Sequence, residues 1–139
     1  MKQIMMGLAM LGILGLAACS EDVLLDALNG DSVNVSGSIT WTGWEGGDIY
    51  VVAFPQGTPP GPTGMVGQTM VPGAPSASYS VMVPESSNVY LFGWSDADAD
   101  TAPTAGEGGA CSGIVVVDLL PVTGVNLTFT ADGYCAVSP

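Results

Sequence analysis

The chain has 139 residues, of which 13 are acidic and one, Lys2, is basic, and it contains no histidine. This length suits one small domain, and the near absence of cationic side chains excludes nucleic acid and an anionic-lipid patch as electrostatic partners. Without histidine there is no Ser-His-Asp triad, no Cys-His pair and no histidine metal site. No acid lies in a recognisable catalytic context, so we expect a protein that is not an enzyme. A hydrolase that uses two carboxylates is the enzymatic alternative.

Residues 1–18 have the order of a secretory signal peptide. Lys2 supplies the positive start, residues 4–16 form an uncharged apolar run, and small residues precede Cys19. The run is shorter than the ~20 apolar residues of a membrane-spanning helix. The segment 16–19, Leu-Ala-Ala-Cys, resembles the lipobox of bacterial lipoproteins in all four positions. The alternative is an ordinary signal peptide, or a short membrane anchor, with a chance cysteine.

The lipobox resemblance implies cleavage before Cys19, diacylglycerol on its sulfur and an acyl chain such as palmitate on the new amino end. Two or more acyl chains anchor a protein stably, so this attachment would be permanent. Ser20, where an aspartate would favour the inner membrane, points to the outer membrane if the source has one. We therefore expect a lipid-anchored protein of the cell envelope, outside the cytoplasm, with residues 19–31 as the tether.

From Ser32 onward the sequence alternates between apolar and polar residues, or is apolar on both faces, as strands do. Segments rich in glycine and proline separate these runs and mark turns. The pattern predicts an all-β domain over residues 32–139: a single antiparallel β-sandwich of about seven strands. The clearest predicted strands are residues 32–42, 48–54, 78–83, 88–94, 113–117 and 125–129. We expect residues 121–124 to close a hairpin between the last two.

The order of motifs resembles a known family of domains. A Val-x-Gly-x-Ile strand is followed by Val-Ala-Phe, a Pro-rich loop, Tyr-Ser-Val-Met-Val-Pro and Asn-Val-Tyr-Leu-Phe-Gly-Trp-Ser-Asp. This order, over about residues 32–132, is similar to the transthyretin-like or carboxypeptidase-regulatory-like β-sandwich domains of bacterial surface proteins. The resemblance implies a transthyretin-like or immunoglobulin-like sandwich. Transthyretin-related hydrolases use histidine and arginine, which residues 32–132 lack, so that activity is not expected.

Two cysteines remain once Cys19 carries lipid. An even number of remaining cysteines in an exported protein indicates a disulfide, here between Cys111 and Cys135. The predicted hairpin would bring the two residues together. Two free buried thiols are the alternative.

An acidic stretch begins at Asp96 and has the oxygen-rich composition that calcium requires. The candidate ligands are Asp96, Asp98, Asp100 and Glu107. They occupy positions one, three, five and twelve of a loop, but Thr101 stands where an EF-hand has glycine, Pro103 stiffens the middle, and no flanking helices are predicted. The stretch is instead similar to the shorter Asp-x-Asp-x-Asp cation loops of bacterial surface sandwiches. A solvated acidic loop that binds nothing is the alternative.

Aromatic residues form a second candidate site, because aromatic platforms stack on sugars or contact partners. The candidates are Trp41, Trp44 and Trp94, with Tyr50, Tyr90 and Phe92. Their alternative role is packing in the core. We therefore expect a lipid-anchored, non-enzymatic module for binding or structure, with an unidentified protein or glycan as partner. A carbohydrate-binding module that uses exposed aromatics is the alternative function.

The lipobox generates a direct prediction. Replacing Cys19 by serine removes the sulfur that accepts the lipid, so Cys19→Ser should be unprocessed or soluble and should not incorporate a fatty-acid analogue. Metabolic labelling of cells that express each form measures this. Equal labelling of the wild type and Cys19→Ser would contradict lipidation at this residue.

Overall fold

The computed structural model describes residues 31–104, 106–131 and 133. The predicted signal peptide, Cys19 and most of the tether lie outside these residues. The described part is all-β, as predicted, and within it no helix has the length and hydropathy needed to cross a membrane. Its strands are β1 (Ser32–Thr40), β2 (Asp48–Pro55), β3 (Gly67–Val71), β4 (Ser76–Pro84), β5 (Ser87–Asp96), β6 (Gly109–Cys111), β7 (Val115–Val117) and β8 (Leu127–Thr128).

The strands form two sheets that pack face to face. One sheet has the order β4-β1-β8, and the other has the order β3-β2-β5, with β6 and β7 pairing along the free edge of β5. Strand β1 pairs with β4 over its whole length, from Ser32 opposite Pro84 to Thr40 opposite Ser76. All pairs between strands are antiparallel except β1 with β8. The predicted β-sandwich is confirmed, with one parallel pair added.

The core lies between the sheets because alternate side chains of each strand point inward. Residues of β1 and β4 supply one wall, and residues of β2, β5 and β7 supply the other. The largest members are fully or almost fully buried: Ile39, Trp41, Ile49, Tyr79, Leu91, Leu127 and Phe129.

The predicted hairpin around residues 121–124 is wrong. Strand β7 pairs with β5 in the five-stranded sheet, whereas β8 pairs with β1 in the other sheet. The connection therefore crosses from one sheet to the other. Apolar alternation fixes which side of a strand is buried, but it does not specify the partner strand.

Backbone hydrogen bonds hold this crossing segment (residues 118–126) along β1. The Val122 amide donates to the Asn34 carbonyl oxygen, and the Ser36 amide donates to the Val122 oxygen, each over 2.9 Å. The Tyr79 hydroxyl donates to the Val125 carbonyl oxygen. Burial raises the pKa of Tyr79, so this hydroxyl stays protonated and able to donate at neutral pH.

The two ends of the sandwich are distinct. At one end, called the tether end, β1 begins at Ser32 opposite Pro84, and β5 begins at Ser87. At the other, called the loop end, β1 finishes at Thr40 and β5 finishes at Asp96. The chain from the predicted anchor therefore enters at the tether end, and the acidic loop (residues 97–108) leaves from the loop end.

The crossing segment makes Gly37 a test of the fold. A Cβ at Gly37 would lie 1.9 Å from the Val125 carbonyl oxygen, which is far inside van der Waals contact. Alanine is favoured over glycine in a strand by about 0.5–1 kcal/mol. Overpacking of this kind costs about 1–3 kcal/mol or more, so the net effect of the substitution should be destabilising. Gly37→Ala should lower the free energy of unfolding measured in urea.

Gly113 is the matched control, because a Cβ there meets nothing within 4 Å. Gly113→Ala should stay within about 0.5 kcal/mol of the wild type. Equal stability of the two variants would contradict the packing of residue 125 against β1.

Candidate functional site

The outer face of the five-stranded sheet carries a second apolar cluster, separate from the core. It consists of alternate residues of the two central strands: Tyr50, Val52 and Phe54 on β2, and Tyr90, Phe92 and Trp94 on β5. The Tyr50 and Trp94 rings stack with centroids 5.2 Å apart and an interplanar angle of 16°. Phe92 stacks on Trp94, and Phe54 stacks on Tyr90, each at 5.5 Å. The outer face is therefore an aromatic surface built from two stacks, Tyr50–Trp94–Phe92 and Phe54–Tyr90, within one apolar cluster.

Two loops cover this surface incompletely. The Pro-rich loop (residues 56–66) folds over one side and is held there by the Tyr90 hydroxyl, which donates to the Thr58 carbonyl oxygen. The acidic loop approaches from the other side. Between them lies a groove of about 570 Å³. Its floor is Tyr50, Val52, Phe54, Phe92 and Trp94, with Gln68 of β3 beside Val52, and its walls are Pro60, Gly61, Pro62, Met65, Thr101, Ala102 and Pro103.

The three tryptophans predicted as ligand-facing occupy different positions. Trp41 is only 7% exposed and packs in the core against Phe129, so the prediction that it faces a ligand is wrong. The cause is its place in the inward alternation that continues from Ile39. Trp44 is half-buried, and its indole N–H donates to the Gly47 carbonyl oxygen. Trp94 alone of the three lines the groove.

The groove was not predicted as a site, because its walls come from loops. The Pro-rich loop indicated only a turn, and nothing in its sequence specifies the sheet face that it covers.

Trp94 is buried beneath these loops, and its indole N–H has no acceptor in the described part of the chain. A buried donor without a partner costs about 1–3 kcal/mol.

Buried carboxylates shape the acidic loop. Asp96 is 4% exposed and Glu107 is 5% exposed. The two Asp96 oxygens accept hydrogen bonds from the amides of Asp100 and Thr101, at 3.0 and 3.1 Å. The Glu107 oxygens accept from the amides of Ala97 and Thr104, at 2.7 and 2.9 Å. The backbone of the loop is therefore wrapped around two carboxylates.

Three of the four predicted calcium ligands come together. One oxygen from each of Asp96, Asp98 and Glu107 lies within 4.8 Å of the others. Asp100 is not in this group, and its Oδ1 instead accepts a hydrogen bond from the Ala102 amide. Desolvation, together with the negative charges of Asp100 and Glu107, raises the pKa of Asp98 above its ordinary value.

The backbone of the acidic loop has left-handed turns at two residues that are not glycine. Thr101 has a φ of 63° and Ala99 a φ of 61°, both in the left-handed region that favours glycine. Thr101 thus adopts a left-handed turn at the position where an EF-hand uses glycine, although its side chain disfavours it. The loop joins two strands and is not an EF-hand.

The carboxylate cluster is suited to calcium. Calcium binds oxygens at 2.3–2.6 Å, so oxygens up to about 5 Å apart can share one ion. A carboxylate has about four lone-pair sites, so Asp96 and Glu107 keep acceptor capacity beyond their two amide bonds each. The described residues contain no lysine, arginine or histidine that could neutralise the cluster.

Cys111 is half-buried at the end of β6. Cys135 lies outside the described residues, so the disulfide stays a prediction, and the hairpin that was expected to align the two residues is absent from the fold.

Comparison with family profiles, curated proteins and solved structures found no match for this chain. The resemblances to bacterial lipoproteins and to transthyretin-like domains therefore stay predictions.

The cluster predicts opposite effects of Asp98→Asn with and without calcium. The raised pKa means that the folded state holds the Asp98 proton more tightly than the unfolded chain does. The free energy of unfolding therefore falls as the pH rises and the Asp98 carboxyl group loses its proton. Replacing Asp98 by a neutral amide removes that loss. In chelator at neutral pH, Asp98→Asn should unfold at the same temperature as the wild type or higher.

In calcium, Asp98→Asn should unfold at a lower temperature than the wild type. Binding to the folded state alone stabilises it by about 2.7 kcal/mol at a hundred times the dissociation constant, and Asp98→Asn should lose most of this gain. Thermal unfolding in chelator, calcium and magnesium measures it. Asp118→Asn, at an exposed acid outside the cluster, is the control. Equal shifts by calcium and magnesium, or a wild-type calcium response in Asp98→Asn, would identify a solvated acidic loop.

Proposed function

We propose that this protein is a non-enzymatic binding module, held in the cell envelope by lipid on Cys19, whose groove takes a ligand with a flat apolar face. The groove carries this proposal, because it exposes part of a stacked aromatic surface between two loops. Small-molecule sites are concave and mostly apolar, with few polar groups that fix orientation. Gln68 beside the floor and Thr101 on one wall can supply such groups.

Calcium is proposed as the ion that orders the acidic loop. Three carboxylate oxygens within 4.8 Å support this, since they repel one another without a cation. Thr101, Ala102 and Pro103 of the same loop form one wall of the groove. Calcium binding at the loop end would therefore fix the shape of the groove as well as the stability of the domain.

Other observations support the absence of catalysis and the presence of a disulfide. The buried acids Asp96 and Glu107 accept amide hydrogen bonds, which is a structural use of carboxylates. We include a Cys111–Cys135 disulfide in the proposal. Gly133, two residues before Cys135, packs directly against the carbonyl oxygen of Gly109, two residues before Cys111, and this close approach supports the pairing.

A carbohydrate-binding module is the second candidate, and the stacked Tyr50–Trp94 pair favours it. Tyr50 is the groove-floor aromatic that is only half-buried, whereas Phe54, Phe92 and Trp94 are buried. A sugar ring would therefore stack mainly on Tyr50. The scarcity of polar side chains around the floor favours an apolar ligand over a sugar, which needs several hydrogen-bonding partners.

Tyr50→Ala tests the groove. The neutral dye N-phenyl-1-naphthylamine should bind the wild type with enhanced fluorescence, and Tyr50→Ala should bind about tenfold more weakly because it removes stacking area worth about 1–3 kcal/mol. Met82→Ala is the control, since Met82 is a large exposed apolar residue on the other sheet. Equal weakening by both variants, or no dye binding, would contradict an apolar site. Glycan-array binding that Tyr50→Ala abolishes would establish the sugar alternative.

A further inference from the structure

Two leucines at the tether end stand out from the surface. Leu119 is 66% exposed and Leu120 is 76% exposed, and both follow β7 in the crossing segment. Val116, 69% exposed, lies on the outer side of β7. Single exposed apolar residues need no explanation, but adjacent ones in one short segment indicate a contact.

Two independent pairings place the leucines at this end. Val117 pairs with Ser87, the first residue of β5, so the chain leaves β7 at the tether end. Val122 then pairs in parallel with Val35, so the residues before it lie toward the start of β1. Both registers put Leu119 and Leu120 beside the point where the tether enters.

The tether is short. Asp31 lies at this end, where its carbonyl oxygen accepts a hydrogen bond from the Glu85 amide. Residues 20–30 separate Asp31 from Cys19. These 11 residues can span at most about 40 Å.

We propose that Leu119 and Leu120 insert into the surface of the bilayer that holds the lipid anchor, so that the tether end faces the membrane and the loop end faces away. This deepens the proposed function and rests on its lipid anchor. Because the tether keeps the domain within a few tens of ångströms of the bilayer, the effective concentration is high and a weak apolar contact suffices.

The charges at the tether end do not attract lipid, so the contact rests on the leucines. The acids near the leucines are Asp31, Glu85 and Asp118, and the described residues offer no cation there to attract lipid phosphates. The contact is therefore apolar and shallow. The carboxylate cluster of Asp96, Asp98 and Glu107 lies at the loop end, away from any anionic lipid.

The orientation can be read with an environment-sensitive fluorescent amino acid placed at Leu120. Thr42, exposed just beyond the last residue of β1, is the matched position at the loop end. The lipidated full-length chain is reconstituted into phosphatidylcholine vesicles with brominated acyl chains. The probe at position 120 should shift to shorter wavelength and lose emission by bromine quenching, whereas the probe at position 42 should do neither.

Leu119→Ser, combined with the probe at position 120, should reduce the quenching, and Met82→Ser should not. Equal quenching at positions 120 and 42, or quenching at neither, would overturn the orientation. The mass of the N-terminal peptide from the same sample reports acylation separately. If the chain is not acylated, the lipid anchor is contradicted. The chain is then attached to the vesicles by an N-terminal histidine tag on a nickel-chelating lipid, and the same two probes are compared. This second comparison tests the orientation without depending on the lipid anchor.

Discussion

The burial of β5 on both faces is the constraint on which the structure depends. Residues 87–96 alternate between Val89 and Leu91, which enter the core, and Tyr90, Phe92 and Trp94, which point outward. A strand that is apolar on both sides must be covered on both sides. The three-stranded sheet covers the inner face. No second layer of helices or strands covers the outer face in the described residues, and two loops do so instead.

Those loops link the fold to function. The Pro-rich loop is fixed by the Tyr90 hydroxyl, and the acidic loop begins directly after β5 at Asp96. Because each loop covers only one side of the aromatic surface, a groove is left between them. The shape of this groove depends on the acidic loop, whose backbone is folded around the carboxylates of Asp96 and Glu107. The strand that needs covering therefore also positions both candidate sites.

The sequence predicted the parts of the fold that depend on alternation. Strands β1, β2, β4 and β5 were predicted within a few residues, because each is long and apolar on one or both faces. Strand β3 was missed since it is an edge strand that is nowhere fully buried. Strand β6 was missed since Gly109-Ala110-Cys111 has no β-branched or aromatic side chain, unlike the equally short β7. The hairpin was wrong because Pro121 and Gly124 indicate a change of direction without specifying the sheet that receives the chain.

The site residues could be predicted where their contacts lie within one loop, and could not where the contacts depend on the whole fold. Local spacing placed Asp96, Asp98 and Glu107 together, because it fixes which carboxylates can meet within a single loop. Asp100 could not be separated from them, since its hydrogen bond with the Ala102 amide depends on the left-handed turn at Thr101. The tryptophans could not be assigned at all: core and groove positions have the same side-chain chemistry, and only the pairing of the sheets distinguishes Trp41 from Trp94.

Hydroxyl-radical footprinting of the folded chain tests the covering of β5 most directly, because three tryptophans of equal intrinsic reactivity lie in three environments. Trp94 beneath the loops and Trp41 in the core are each 7% exposed, whereas Trp44 is half-buried at the surface. Oxidation of Trp44 should therefore be clearly faster than that of Trp94 and Trp41. Oxidation of Trp94 at the rate of Trp44 would show that the outer face of β5 is open, and would contradict the groove.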